Sequence, residues 1–252
     1  MDLGLRDRVY LVTGGSRGLG RAGAEALVAE GARVVVSGRD HDSLTAAVGS
    51  LGEQHAEAYV ADNADPATPA RLIAAAQRRW GRVDGALVSV GGPPYGGVLE
   101  ATDDAWLQAF ESVFLGALRL ARELCGVLEP GGALAFVLSS SVKAPIGGLG
   151  ISNGLRPGLA MALKSLADEV GPHGIRINGL LPGKIATERL ASLDAATGDA
   201  AASRAAAEAE IPLRRYGRPD ELGRVAAFLL SPAASYLSGV MLPVDGGLQR
   251  SL

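Results

Sequence analysis

The apolar run Val9-Tyr10-Leu11-Val12 leads into Thr13-Gly14-Gly15-Ser16-Arg17-Gly18-Leu19-Gly20, and a helical pattern follows from Arg21. This is the residue pattern of a phosphate cradle. Glycine adopts positive φ readily and carries no Cβ to hold a ligand off the backbone, so such a turn can close tightly and point its N–H groups at a pyrophosphate. The helix behind it contributes the positive end of its dipole. With a second strand at Arg33-Val34-Val35-Val36-Ser37, the spacing predicts a dinucleotide site lined by Gly14, Ser16, Arg17, Gly18, Leu19 and Gly20. Charge then selects the dinucleotide. A site for NAD(H) places an acid at the end of the second strand to hold the ribose 2′-hydroxyl, whereas Ser37-Gly38-Arg39 has glycine at that point. Arg39 and Arg17 suit a 2′-phosphate through their planar donor forks. The expected cofactor is NADP(H) rather than NAD(H).

A cradle of this kind needs parallel strands that end on one edge. Apolar runs at Val9–Thr13, Arg33–Ser37, Glu57–Ala61, Gly85–Val90, Ala133–Ser139, Arg176–Leu181 and Val240–Val244 alternate with helical patterns at Arg21–Glu30, Pro69–Trp80, Asp104–Leu124, Leu155–Val170 and Pro219–Leu230. This βαβ series predicts an α/β, single-domain Rossmann fold over residues 1–252: a doubly wound, parallel, seven-stranded sheet with helices on both faces. Residues 188–212, with the alanine-rich stretch Ala195–Glu210, lie outside the repeat and read as a helical substrate lid. At 48% hydrophobic and 20% charged residues, the chain is able to bury one large core. Its net charge of −3 argues against a nucleic-acid partner. The single cysteine, Cys125, can make no internal disulfide, and the first residues lack a signal peptide's apolar core. No run approaches the length of a membrane span. A cytoplasmic protein without a membrane partner is expected. His41, His55 and His173 have no metal-ligand spacing, so no metal site is expected.

Over nearly its whole length the chain resembles the short-chain dehydrogenase/reductase family. The likeness rests on Thr13 to Gly20, on Asn178 to Thr187, on Ile211 to Pro219 and on Val244-Asp245-Gly246-Gly247. It implies that the Pro182-Gly183 turn, Ile185 and Thr187 approach the nicotinamide, that Asp62 and its neighbour Asn63 lie by the adenine, and that Gly91 belongs to the cofactor site. It also implies a homotetramer or homodimer. The proton-transfer residues depart from the family pattern. The usual tyrosine falls on Ser152, the usual lysine on Arg156 and the usual helix-four asparagine on Val113, while the usual serine falls on Ser139, with Ser140 and Ser141 beside it.

These replacements change the chemistry. A tyrosine can be tuned toward neutrality by a neighbouring cation, a serine hydroxyl cannot be tuned so far, and arginine keeps its proton. Loss of a general acid costs about 10²- to 10⁴-fold in rate where nothing replaces it. The combination Ser141-Val142-Lys143-Ala144-Pro145 followed by Leu149, Ser152, Asn153 and Arg156 resembles a divergent branch of the family. On this reading Ser139 or Ser141, together with Ser152 and Lys143, forms the polar site; Lys143 protonates or polarises a carbonyl and Arg156 orients the nicotinamide ribose. Lys143 as a plain loop lysine and Tyr95 as an alternative acid remain open. The function implied is hydride transfer between NADP(H) and a small carbonyl or alcohol. A nonredox lyase, isomerase or cyclase on the same scaffold, and a cofactor-binding protein without catalysis, are the alternatives.

Overall fold

The computed structural model describes residues 2–251; Met1 and Leu252, the ends of the expected domain 1–252, lie outside the described residues. Seven strands form one parallel sheet: β1 (Val9–Thr13), β2 (Arg33–Gly38), β3 (Ala56–Val60), β4 (Gly85–Ser89), β5 (Ala133–Val137), β6 (Arg176–Pro182) and β7 (Met241–Val244). Their order is β3-β2-β1-β4-β5-β6-β7, so the chain reverses its direction of winding between β1 and β4. Ligands in sheets of this type lie outside the carboxyl ends of the strands at such a reversal.

Successive strand residues feed opposite faces. Val9, Leu11 and Val35 pack beneath α3 (Thr68–Trp80), α5 (Gly116–Cys125) and α6 (Gly150–Val170), whereas Tyr10, Val12, Val34 and Val36 face α1 (Gly18–Ala29), α2 (His41–Leu51) and α9 (Pro219–Leu230). A strand buried on both sides has no polar face, which is why Val34-Val35-Val36 does not alternate. Among the described residues no helix is long and apolar enough to cross a membrane.

Beyond shifts of a few residues at element ends, the structure differs from the sequence reading in the following places. Helix α2 was not expected; Asp40 starts it by accepting from the Ser43 backbone N–H at 2.8 Å. The single helix expected over Asp104–Leu124 is interrupted: α4 (Asp103–Ala109) passes through a π-helical turn, Phe110–Leu115, before α5. Helix α6 begins at Gly150 rather than Leu155, and Pro157 lies inside it. Strand β5 stops at Val137 because Ser139 turns to receive the Ser141 N–H and opens a 3₁₀ turn, Ser140–Val142. Residues 188–212 hold two helices, α7 (Glu188–Ala195) and α8 (Ala200–Glu210), with the chain turning at Gly198, φ +90°, between them.

Candidate active site

The parallel sheet brings the expected cofactor residues to one edge: 14–20 after β1, Arg39 after β2, Asp62 and Asn63 after β3, Gly91 after β4, and Pro182 to Thr187 at the end of β6. The glycine turn is fixed by backbone contacts. The Gly15 N–H donates to the Ser37 carbonyl at 3.0 Å, and Thr13 Oγ1 both donates to the Ser89 carbonyl and accepts the Ser89 N–H, each at 3.0 Å. A Cβ on Gly20 would run into the Gly14 carbonyl, and one on Gly18 would meet no atom within 4 Å. With φ near +59°, Gly18 therefore leaves one side of the turn open to a ligand. The residues present fit a dinucleotide pyrophosphate.

Arg17 and Arg39 are exposed beside this turn. Asp40, next to Arg39, is held at the start of α2; its bonds to Ser43 pull its carboxyl below the usual range. Thus the nearby acid is engaged in starting α2. Asp62 is exposed, and its Oδ1 accepts from the Ala64 N–H at 2.9 Å. Ile185 is buried and bridges to Gly217, while Thr187 caps α7 by accepting from Leu190 at 3.3 Å.

The serine turn follows β5 on the same edge. Ser141 and Ser152 are buried, with their hydroxyl oxygens 3.3 Å apart. Ser139, half-buried, instead accepts the Ser141 backbone N–H at 3.1 Å. Ser152 and Arg156 stand four residues apart on α6, one above the other on one helix face. Arg156 is 5% exposed and donates from Nη1 to the Val137 carbonyl at 2.9 Å, which ties α6 to the end of β5. Burial, with help from the nearby Arg189, pushes its pKa down to about 10. Lys143 ends the turn with an exposed side chain. Tyr95 is also exposed, its ring lying directly over Gly148, and the Gly96 N–H donates to the Gly148 carbonyl at 2.8 Å. Val113 is buried within the π-helical turn.

Two further residues shape this edge without having been singled out in the sequence. Arg189, in the first turn of α7, donates from Nη1 to the Gly92 carbonyl at 3.1 Å and from Nη2 to the Pro93 carbonyl at 2.7 Å. Gln249 donates from Nε2 to the Ser140 carbonyl at 3.0 Å and braces the serine turn from across the sheet edge. Arg189 had a faint local signal, a cation just after Thr187. Gln249 had none.

A family model described as enoyl-(acyl carrier protein) reductase matches residues 14–249. The chain belongs to the short-chain dehydrogenase/reductase family. This short-chain dehydrogenase/reductase is 34% identical over 257 residues to an L-rhamnose 1-dehydrogenase (NAD(P)(+)) of Azotobacter vinelandii, covering 97% of each chain. It is 34% identical over 252 residues to a levodione reductase of Leifsonia aquatica, covering 96% of this chain and 94% of that one. Among solved structures, L-sorbose reductase from Gluconobacter frateurii, complexed with NADPH and L-sorbose, matches with a TM-score of 0.94 at 30% identity, covering 100% of both chains. The family and the Rossmann architecture read from the motifs are borne out by these matches.

Proposed function

We propose that this short-chain dehydrogenase/reductase is an NADP(H)-dependent oxidoreductase acting on a small carbonyl or alcohol, in which a serine pair replaces the usual tyrosine. The observation that carries the reading is the Ser141–Ser152 hydroxyl contact of 3.3 Å at the same sheet edge as the glycine cradle. When bound, the nicotinamide supplies or accepts the hydride. The Gly14–Gly20 turn holds the pyrophosphate, Arg17 and Arg39 hold the 2′-phosphate, and Asp62, Asn63, Gly91, Pro182, Gly183, Ile185 and Thr187 complete the cofactor site.

The proton is handled by the chain itself. Ser152 Oγ donates a hydrogen bond to the substrate oxygen and Ser141 Oγ orients it, so the hydroxyl pair stabilises charge as it develops. Lys143, at the exposed end of the turn, is the proton source. Ser139 positions the turn through the Ser141 N–H, and Arg156 orients the nicotinamide ribose. Helices α7 and α8, within residues 188–212, form the lid. The wider proposal is a cytoplasmic homodimer or homotetramer.

The test is fluorescence titration with NADPH and NADH followed by loss of nicotinamide absorbance with a panel of carbonyls. Turnover with Ser152→Ala and Lys143→Ala both slowed, and NADPH affinity retained, is the expected result. Unchanged rates in both variants would remove the site assignment. Substrate conversion without an absorbance change would favour the lyase, isomerase or cyclase, and tight binding without turnover a noncatalytic binder.

A further inference from the structure

Arg156 and Arg189 bring two guanidinium groups to the substrate end of the site from different elements, α6 and the first turn of α7. Both donate to neutral backbone carbonyls: Arg156 to Val137, and Arg189 to Gly92 and Pro93. Among the described residues neither forms an ion pair. That is costly for Arg156, because a buried charge without a counter-ion loses hydration that one carbonyl replaces only in part. The two cations also oppose each other, and burial with this repulsion holds the Arg156 proton less tightly than usual.

A guanidinium has five N–H donors, and the Val137 carbonyl takes one of those of Arg156. No fully buried side-chain nitrogen or oxygen among the described residues is left without a partner. Arg156 Nε and Nη2, which have no such partner, therefore each keep some accessible surface. Ser152 lies one helical turn before Arg156 on the same face, and its hydroxyl meets Ser141. The two cations and two hydroxyls have no carboxylate bonded to them among the described residues.

We infer that this site takes an anionic substrate, a carbonyl compound or alcohol that carries a carboxylate, with Arg189 as the residue that selects it and the charge of Arg156, which orients the ribose, adding to the attraction. The inference rests on the redox reading above and names the substrate class for it. A carboxylate suits the site on two counts. Its charge offsets the two cations, and its oxygens accept charge-assisted hydrogen bonds from the guanidinium N–H groups that the backbone carbonyls leave unused. Arg189 also joins the lid to the loop after β4, so an anion drawn to it lies where α7 meets that loop.

The experiment is calorimetric titration of the full chain, saturated with NADP⁺ so that no reduction occurs, with benzoylformate and with its neutral methyl ester. Acetoacetate and methyl acetoacetate repeat the comparison with the carboxylate one carbon further away. The expected result is an acid bound about tenfold or more tightly than its ester in at least one pair, the scale of a hydrogen bond to a charged group. Arg189→Gln brings that ratio close to one. Arg189 is exposed, so this substitution leaves the buried core intact. Equal affinities for acid and ester, or a preference that survives Arg189→Gln, would overturn the inference.

A parallel assay of NADPH oxidation separates this result from the redox reading. Turnover of cyclohexanone or free sugars with no preference for the acids overturns the anion site and leaves the reductase. Failure to bind NADP⁺ overturns the reductase, and the acid–ester comparison on the unliganded chain then decides the anion site by itself.

Discussion

Replacing Gly18 by alanine separates cofactor recognition from fold stability. Gly18 sits at φ +59° with no atom within 4 Å of the place where a Cβ would project. The left-handed backbone costs about 1–2 kcal/mol in an alanine, with no overlap to add to it. The methyl instead occupies the open side of the cradle, where a phosphate oxygen approaches the backbone. Each hydrogen bond to a charged oxygen contributes about 1.5–3 kcal/mol, so losing one lowers NADPH affinity roughly 10- to 100-fold. Gly20→Ala is the control. Its Cβ would strike the Gly14 carbonyl and stand 2.9 Å from the Gly14 carbonyl carbon and 3.0 Å from the Thr13 oxygen, all backbone atoms that cannot rotate away. Overpacking of this kind costs about 1–3 kcal/mol and distorts the turn, so stability and affinity fall together. Urea unfolding without cofactor and NADPH fluorescence titration measure the two quantities. Gly18→Ala with unchanged NADPH affinity would refute the cradle.

Arg39→Asp weakens NADPH more than NADH in the same titration, because it removes one cation and adds an anion beside the 2′-phosphate; equal losses would count against the charge argument. Arg176→Met leaves the carbonyls of Leu229, Ser231 and Leu237 without their shared donor, at 2.9, 2.9 and 3.3 Å in the parent, and lowers unfolding stability by about 3 kcal/mol. Tyr216→Phe removes the hydroxyl that donates to the buried Asp194 carboxylate at 3.1 Å, so amide exchange quickens in α7 and α8 while the sheet is unaffected. Glu221 has its pKa lowered from 4.5 to about 2, first by the Arg215 side chain and then by the Arg218 backbone N–H. The folded state holds this carboxylate's proton more weakly than the unfolded one, so its stabilisation is full above pH 4.5 and is lost as pH falls toward 2. Glu221→Gln flattens that part of the acid unfolding curve.

The inner strands β1, β2, β4, β5 and β6 were legible because each is a short, largely apolar run buried on both faces, and the cradle because its glycines, strand and helix are contiguous. Local pattern failed where a boundary depends on one side chain. Helix α2 relies on the Asp40 cap, and α6 begins at Gly150, ahead of the Leu155 start that its pattern indicates. The π-helical turn is invisible because Phe110–Leu115 has no breaker in it. At the site, Ser152 and Arg156 could be singled out from motif spacing. Which serine meets Ser152 could not, since the 3₁₀ turn directs Ser141 inward and engages Ser139 with backbone. Arg189 and Gln249 act across 96 and 109 residues, and no periodicity encodes contacts of that range.

The Gln249 brace also has a consequence in time. Ser140 and Gln249 are separated by 109 residues, and at synthesis rates of about 5–20 residues per second they enter the chain roughly 5–20 s apart. The glycine cradle, completed by β1, α1 and the end of β4, is encoded before either of them. A growing chain thus acquires the parts for gripping phosphate first, while the Ser140 carbonyl still faces water and awaits its amide donor. Nascent chains stalled between these two points are expected to retain a nucleotide before they can support chemistry on a second molecule.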